Sequence, residues 1–306
     1  MIAAIIVSYN PEAESFIALL QSLSTQVDHL IIVDNSPPHN DAAFNLVLQS
    51  AISLDALYLV RLGDNLGIAT ALNIGIELAF AEGATHVFLS DQDSLPASDM
   101  VLGLLQSLSE LQSNGLSVGA VGPTFTDLHT QLTYPFQAEI PGRFFYGHRA
   151  PTAAVPYVEA ITLITSGTLI PVEVLRHVGL MREDFFIDHV DIEWCHRARA
   201  HGYRLFGTGA ARMYQRMGEA RLRVWYVRWR YESAYSPLRI YYRLRNFVAL
   251  WKLDYIQWRW KIRSSWYWLG SIYSHVVFGQ QRAACLGMAL KGVWHGLIGR
   301  MGRYRS

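Results

Sequence analysis

The sequence predicts an α/β protein in which a mostly parallel sheet is covered by helices on both faces. Over roughly the first hundred residues, short apolar runs alternate with segments of helical spacing, and the connections between them are short. Each apolar run ends in a cluster of polar residues. An alternating order of strands and helices with short connections is typical of parallel sheets with helices on both faces.

The predicted elements follow from these patterns in order. Strands are predicted at residues 2–7, 30–33, 58–60 and 87–89, and the helices between them at 12–23, 41–50 and 69–81. Further along, helices are predicted at 100–111 and 172–178, and a third follows the 185–194 segment, contains Arg197 and Arg199 and ends at Gly202-Tyr203; strands are predicted at 118–121, 157–164 and 204–207. Residues 124–156 are rich in Pro, Gly and aromatic residues, which favours an irregular insertion.

Charge divides the chain into two regions. Residues 1–220 contain 10 Lys and Arg against 23 Asp and Glu, whereas residues 221–306 contain 16 against 2, and eight of the nine tryptophans lie in the second region. We therefore predict two domains, 1–220 and 221–306, that have different partners. The two cysteines, Cys195 and Cys285, fit no metal site and favour a reducing compartment. The first residues indicate a strand rather than a signal peptide.

Polar clusters follow four successive predicted strands, and they include Ser8-Tyr9-Asn10, Asp34-Asn35, Asn65 with Asn73, and Asp91-Gln92-Asp93. Because the carboxyl ends of parallel strands meet at one edge of a sheet, ligands bind there. Two carboxylates one residue apart suit a divalent metal, and a metal can hold a diphosphate. The alternative is that the two aspartates only end a strand and begin a turn. The glycine-rich loops typical of dinucleotide and nucleoside-triphosphate sites are missing from the sequence.

In this order and spacing, the motifs resemble family 2 glycosyltransferases with the GT-A fold, and most of all the bacterial rhamnosyltransferases. The matching segments lie between residues 5 and 218. They are Val7-Ser8-Tyr9-Asn10-Pro11, Val33-Asp34-Asn35-Ser36, the Asn65-x-Gly67 to Gly75-Ile76 stretch, Asp91-Gln92-Asp93-Ser94, Ser166-Gly167, and Phe185 to Glu193.

The resemblance implies a set of roles for these residues. Asp93 would bind Mg²⁺ or Mn²⁺, and Asp91 would contact the ribose or a metal-bound water. The nucleotide sugar would be bound by Ser8, Tyr9, Asn10, Asp34, Asn35, Asn65, Gly67, Asn73, Asp91 and Gln92. The acceptor and sugar pocket would contain Ser166, Gly167, Asp188, His189 and Glu193, and Asp191 would be the general base.

Three alternatives remain open in these assignments. In the first alternative, Asp188 and Asp191 have no role in the reaction: Asp188 caps a helix, and the helix dipole favours Asp191 in the first turn of that helix. In the second alternative, Glu193 does not contact the acceptor but pairs with Arg197, four residues later. The third alternative concerns Gln215, which stands where many relatives have a metal-binding His. A Gln at this position favours Mg²⁺ over transition metals, or else Arg216 binds the diphosphate directly.

The basic region interleaves arginine with aromatic residues, which is typical of a membrane surface or of nucleic acid. The acidic first region argues against nucleic acid, so we predict a membrane surface, with a homo-oligomer interface as the alternative. Residues 264–281 lack charged residues except for histidine, yet they are marginal for a spanning helix. We therefore expect this segment to lie at the interface or to pack against the catalytic domain.

The sequence as a whole predicts an inverting, metal-dependent transferase of L-rhamnose from dTDP-L-rhamnose. Its acceptor would be a hydroxyl of a lipid-linked or polysaccharide glycan, such as O-antigen of lipopolysaccharide, capsule or exopolysaccharide, at the cytoplasmic face of the inner membrane. One alternative is a UDP-sugar donor that carries galactofuranose, glucose or N-acetylglucosamine. A second alternative is a non-catalytic protein that binds sugar nucleotides in a polysaccharide assembly complex.

Overall fold

A twelve-stranded sheet forms the centre of the protein. The structure, a computed structural model, describes residues 1–38, 57–127, 132–215 and 221–305. The strands of this sheet are β1 (Ile2–Ser8), β2 (His29–Asp34), β3 (Leu57–Arg61), β4 (His86–Asp91), β5 (Ser94–Pro96), β6 (Val118–Asp127), β7 (Thr133–Tyr134), β8 (Phe136–Ala138), β9 (Gly147–Arg149), β10 (Tyr157–Ala160), β11 (Leu169–Pro171) and β12 (Arg204–Gln215).

The described helices are α1 (Ala13–Ser24), α2 (Ile68–Ala81), α3 (Met100–Ser113), α4 (Val172–Val178), α5 (Val190–Ala200), α6 (Pro237–Trp251), α7 (Trp258–Phe278) and α8 (Arg282–Ile298). A short 3-10 helix, Glu183–Phe185, precedes α5. The strand order is β3-β2-β1-β4-β11-β6-β12-β10-β8-β9, with β5 beside β12 and β7 beside β6. The first four strands are parallel, and the sheet becomes mixed from β11 onward.

The sheet separates two core layers because its side chains alternate between its faces. In β1, Ala3, Ile5 and Val7 face a layer that contains α2, α4 and α5, whereas Ile2, Ala4 and Ile6 face α1 and α3. The predicted α/β class with helices on both faces is confirmed.

Several element boundaries differ from the sequence expectation. Strand β6 is predicted at 118–121 but continues to Asp127, and its parallel partner β12 is predicted at 204–207 but continues to Gln215. The two strands are longer because they pair with each other along most of their lengths, despite their Gly, Thr and Pro residues. The segment 124–156, predicted to be irregular, contains the short strands β7, β8 and β9. The strand predicted at 157–164 ends at Ala160. The helix predicted at 41–50 lies outside the described residues.

The basic region begins with a hairpin rather than a helix. Strands β13 (Arg221–Trp225) and β14 (Trp229–Ser233) pair antiparallel, and their alternation of arginine with aliphatic or aromatic residues has the period of a strand. The three helices then follow, and α6 packs against α8 where Gly292 and Gly296 permit close approach: an added Cβ would lie within 3 Å of the α6 backbone. The predicted domain boundary lies between residues 220 and 221, directly after residues 216–220, which lie outside the described part of the chain, and the division into two domains remains a prediction.

Helix α7 covers the segment considered above for membrane insertion. Among the described residues, every helix is too short or too polar to span a bilayer. Within the segment 264–281, Trp268, Ser274 and His275 are buried, whereas Trp266, Tyr267 and Leu269 are exposed. The segment therefore packs against the protein on one side, and its position at a membrane interface stays a prediction.

The packing of α2 on the sheet gives a stability prediction. A Cβ added to Gly75 would lie 2.5 Å from Cγ2 of the buried Ile5, so Gly75→Ala should destabilise the protein by about 1–3 kcal/mol through overpacking. Gly287 on α8 is the matched control, since its added Cβ would meet nothing within 4 Å. Gly287→Ala should be neutral or stabilise by up to about 1 kcal/mol, because alanine is the better helix former. Urea unfolding of both variants checks this, and equal effects would contradict the packing.

Candidate active site

A cleft of about 1170 Å³ opens beyond the carboxyl ends of β1 and β4. The first turn of helix α5 also lines it, as do residues of α6 and α7 from the basic region. The structure brings ten of the predicted site residues into this one cleft: Tyr9, Asn35, Asn65, Gly67, Asp91, Gln92, Asp93, Asp188, His189 and Asp191.

Hydrogen bonds connect the polar ends of the first three strands. The Ser8 hydroxyl donates to Asp34 Oδ1 at 3.1 Å, and Asn35 Nδ2 donates to Asn65 Oδ1 at 3.1 Å. The same side-chain oxygen, Asn65 Oδ1, also accepts from the backbone N–H of Gly67 at 3.0 Å. These bonds fix the loops at the side of the cleft where the resemblance places the nucleotide.

The two aspartates of the Asp91-Gln92-Asp93 motif project from the end of β4. Gln92 ties this turn to the end of β1, because its side-chain oxygen accepts from Tyr9 N at 2.6 Å and its Nε2 donates to Tyr9 O at 3.2 Å. Asp93 is exposed, whereas Asp91 is half-buried. Burial, followed by repulsion from Asp93 and Asp191, raises the pKa of Asp91 to about 7.

Asp191 lies in the first turn of α5, close enough to Asp91 for the two carboxylates to repel each other. Its Oδ1 accepts from the N–H of Ile192 at 2.8 Å. Burial raises the pKa of Asp191 to about 6, and the backbone N–H groups of Ile192 and Thr165 oppose that rise. Asp191 therefore combines access to the cleft with higher basicity than an ordinary aspartate.

The loop before α5 has an unusual backbone. Phe186, Asp188 and His189 all have positive φ angles, of 65°, 61° and 64°. For residues other than glycine, each such conformation costs about 1–3 kcal/mol, and such costs are commonest at functional sites. Helix α5 begins after His189, so His189 rather than Asp188 occupies the N-cap position.

Arginines from the basic region face this loop. Arg239 donates from Nε and Nη2 to the Asp188 carboxylate at 3.3 and 3.4 Å, and Arg243 lies 4.0 Å from it. Arg243 also lies over the rings of Tyr235 and Trp268. Sequence reasoning assigned this arginine-rich stretch to a membrane surface, so it missed both residues as cleft residues. The signal that would have found them is that α6 has one charged side and one buried side.

Seven of the predicted binding residues lie outside the lining of the cleft: Ser8, Asn10, Asp34, Asn73, Ser166, Gly167 and Glu193. Ser166 lies behind the Asp91 turn, where its hydroxyl accepts from Asp91 N at 3.2 Å. Gly167 follows with φ +78° and donates to Leu89 O. Asn10 also has a positive φ, and its N–H donates to the Ser36 hydroxyl at 2.8 Å.

Asn73 and Glu193 are committed to contacts within the protein. Asn73 Nδ2 donates to Met181 O at 2.9 Å, and its carbonyl oxygen accepts from Met181 N at 2.9 Å. Glu193 is fully buried and pairs with Arg197 at 2.9 Å, which confirms the i, i+4 alternative. Tyr255 also donates to Glu193. The side chain of Gln215 and all of Arg216 lie outside what is described.

Asp91 and Asp93 suit a cation whose remaining ligands come from substrate and water. Within the described ranges no group of three or more His, Cys, Asp or Glu side chains forms a metal cage. Mg²⁺ is characteristically held by one or two carboxylates together with substrate phosphates. The mutual repulsion that raises the pKa of Asp91 is also what a divalent cation would relieve. The residues present therefore fit such an ion.

Comparison with known proteins identifies the class. The model of Glycosyl transferase family 2 matches residues 3–178. The chain belongs to this family and is a glycosyltransferase. It is 30% identical over 256 residues to the dTDP-rhamnosyl transferase RfbF of Shigella flexneri, which covers 83% of this chain and 81% of the relative. It is 27% identical over 183 residues to the galactofuranosyltransferase GlfT1 of Mycobacterium tuberculosis, with 59% and 58% covered.

Solved structures show the GT-A fold. The mannosyltransferase PcManGT from Pyrobaculum calidifontis, in complex with GDP-Man and Mn²⁺, matches 97% of this chain and 75% of its own, with a TM-score of 0.54 and 16% identity. GalNAc-T7 with UDP, GalNAc and Mn²⁺ has the same TM-score at 13% identity, over 70% of this chain and 43% of its own. The predicted fold and family are confirmed.

The raised pKa of Asp91 predicts how pH affects the stability of the metal-free protein. The folded chain retains a proton on Asp91 up to about pH 7, whereas the unfolded chain loses it near the ordinary value of 3.8. Stability should therefore fall as the pH rises through this window. In EDTA we expect the Tm to be lower at pH 8 than at pH 6, and Asp91→Asn to reduce that difference by a few degrees.

The exposed Asp254 gives the matched control, since Asp254→Asn makes the same chemical change far from other acids in sequence. Differential scanning fluorimetry measures all three proteins, with and without Mg²⁺. If Asp91→Asn kept the full wild-type pH dependence, the raised pKa of Asp91 would not be the source of that dependence, and the prediction would be wrong.

Proposed function

We propose that this enzyme transfers L-rhamnose from dTDP-L-rhamnose to a hydroxyl of a glycan acceptor, with inversion at the anomeric carbon. The observation that carries the proposal is the convergence of Asp91, Asp93 and Asp191 on one cleft. The choice of donor rests on the similarity to the dTDP-rhamnosyl transferase over most of both chains. Lipid-linked or polysaccharide acceptors of cell-surface glycan synthesis fit a cleft whose wall includes a basic, aromatic region.

Asp191 takes the proton from the acceptor hydroxyl. With a pKa of about 6, its carboxylate is ionised at pH 7 and still more basic than an ordinary aspartate. Asp191 and Asp91 line the same cleft, and in this proposal the acceptor hydroxyl lies between Asp191 and the anomeric carbon, on the side away from the diphosphate. A base on one face of the sugar and a leaving group on the other are the arrangement that inversion requires.

Asp93 and Asp91 hold Mg²⁺ or Mn²⁺ with the diphosphate of the donor. When bound, the ion neutralises the charge that develops on the leaving diphosphate. The loops that carry Asn35, Asn65 and Gly67 bind the nucleotide, and their hydrogen bonds to one another hold them in place. Asp188, paired with Arg239, faces the sugar and acceptor part of the cleft together with His189.

A galactofuranosyl donor is the second candidate, because the chain also resembles a galactofuranosyltransferase over 59% of its length. Other UDP-sugars are less supported, since neither of these two relatives is named for them. The non-catalytic alternative is tested by the same experiment that identifies the donor.

The test is a panel of donors with purified protein, in which release of nucleoside diphosphate is measured with Mg²⁺, Mn²⁺ or EDTA. We expect turnover with dTDP-L-rhamnose that requires a divalent cation. Asp191→Asn should lower kcat by about 10²–10⁴-fold. Asp93→Asn should raise the metal concentration needed for half-maximal turnover, and Asp254→Asn should behave as wild type.

Each possible result has a clear meaning. Near wild-type turnover by Asp191→Asn would remove the base assignment. Preference for a UDP-sugar would replace the donor. No cation-dependent turnover with any donor would favour the non-catalytic binding protein.

We further propose that residues 221–306 hold the enzyme on the cytoplasmic face of the inner membrane. Helix α8 exposes an apolar stripe of Leu286, Leu290, Trp294 and Leu297, spaced so that they share one side of the helix. The tip of the hairpin exposes Trp225, Val227 and Trp229 as well. Residues 255–306 contain eight Lys and Arg and no Asp or Glu. This charge suits anionic lipid and opposes a second copy of the same surface, so an oligomer is the less favoured partner.

The apolar stripe gives a prediction about binding to vesicles. The double variant Leu290→Ser with Trp294→Ser should bind vesicles that contain phosphatidylglycerol about tenfold or more weakly, because burial of each side chain contributes on the order of 1.5–3 kcal/mol. Leu102→Ser on α3, an equally exposed leucine at 57%, is the control. Sedimentation with these vesicles and with pure phosphatidylcholine measures the effect. Unchanged binding by the double variant, or salt-independent binding, would contradict the proposal.

A further inference from the structure

A pair of fully buried polar residues on α6 contacts the backbone of the loop that precedes Asp191. Asn246 Nδ2 lies 3.0 Å from Phe185 O, 2.7 Å from Ile187 O and 2.8 Å from Asp188 O. The neighbouring Arg245 donates to Phe185 O at 2.8 Å. Both side chains have zero exposure. Most of the carbonyl groups along this strained turn are therefore bound by one amide and one guanidinium.

Arg245 also determines which way the Asn246 amide points. Its Nε and Nη2 donate to Asn246 Oδ1 at 2.9 and 2.8 Å. Because arginine has only donors, the amide oxygen must face Arg245, and the amide nitrogen must face the loop. Arg245 in turn is held by its bond to Gly302 O, and no described carboxylate pairs with it.

The conformation held in this way sets the direction of the loop's side chains. Positive φ angles at Phe186, Asp188 and His189 turn the chain sharply into α5. These conformations are unfavourable for such residues, so the loop would relax without outside contacts. Gly67 supports the same turn, since Ile68 N donates to Phe186 O at 2.7 Å and a Cβ at Gly67 would lie 2.6 Å from the Phe186 ring.

We propose that Asn246, oriented by Arg245, is a positioning residue that holds the 185–188 backbone so that Asp188 and Asp191 face the cleft. The inference rests on the proposed role of Asp191 as the base. Asn246 does not line the cleft. Its effect is on the geometry of the base, so its loss should lower kcat rather than weaken donor binding.

The test is a double-mutant cycle between Asn246 and Asp191. Asn246→Asp keeps the size and the contact with Arg245, but it replaces the donor nitrogen by an oxygen that repels the three carbonyl oxygens. We expect it to lower kcat for donor turnover by about 30–100-fold, as small displacements of catalytic groups do, with the donor KM within about twofold of wild type. In the Asp191→Asn background the same change should lower kcat less than about threefold, because the base that it positions is already lost.

The matched control is Asn114→Asp, the same substitution at the exposed C-cap of α3, which should leave kcat and KM unchanged. If Asn246→Asp does not fold, Asn246→Ala and Arg245→Lys are measured in the same cycle, with the same expected pattern. Thermal unfolding and calorimetric binding of dTDP with Mn²⁺ report on folding and on the donor side of the cleft.

Two results would overturn the proposal. Equal losses of kcat in both backgrounds, or a raised donor KM with kcat unchanged, would assign Asn246 a purely structural role. Near wild-type kcat for Asp191→Asn alone would instead remove the proposed base, and with it the residue that Asn246 positions. The Asp191→Asn variant by itself therefore distinguishes failure of the proposed function from failure of this inference.

Discussion

Repulsion among carboxylates is the constraint on which the cleft depends. Asp91, Asp93 and Asp191 come from two different parts of the chain, and burial, followed by repulsion from the other two carboxylates, raises the pKa of Asp91. Like charges in a partly desolvated space are costly unless cations or protons compensate them. Arg239 supplies one compensating charge from α6, and its position lowers the same pKa. The proposed metal would supply the other, and the acidic motif, the arginine on α6 and the cation would then form one electrostatic unit.

Much of this site was accessible from local sequence. Asp91 and Asp93 follow an apolar run at the point where a parallel strand must end, and Asp191 belongs to a short acidic motif that precedes a helix. Glu193 and Arg197 are four residues apart on that helix, and their predicted pair exists. The end of the strand and the i, i+4 pair depend on neighbours in sequence, so periodicity and spacing were sufficient to predict them, whereas the role of Asp191 came from the family resemblance.

Other parts of the site could not be obtained in that way. Arg239 and Arg243 reach the cleft, and Asn246 reaches the backbone of the loop before α5, only because α6 packs beside that loop, which lies more than fifty residues earlier in the chain. Their sequence context, rich in arginine and tyrosine, is equally typical of a membrane surface. Likewise Asn73 stands among residues that do line the cleft, but its helix turns its side chain toward the backbone of Met181. Which side of a helix faces a distant loop is decided by tertiary packing, and a single sequence carries little information about it.

The contacts of Arg245 and Asn246 also have a consequence for the order of folding. Asn246 and Phe185 are 61 residues apart, and Arg245 and Gly302 are 57 apart. Contacts that close long loops form slowly, because the chain loses conformational entropy before the contact contributes favourable free energy. While the chain is being synthesised, the strands and the Asp91 motif emerge first, and the loop before α5 has its contact with Ile68 but lacks those with Arg245 and Asn246 until α6 follows. The enzyme would thus acquire its donor side early and its complete acid–base geometry only as the last helices dock.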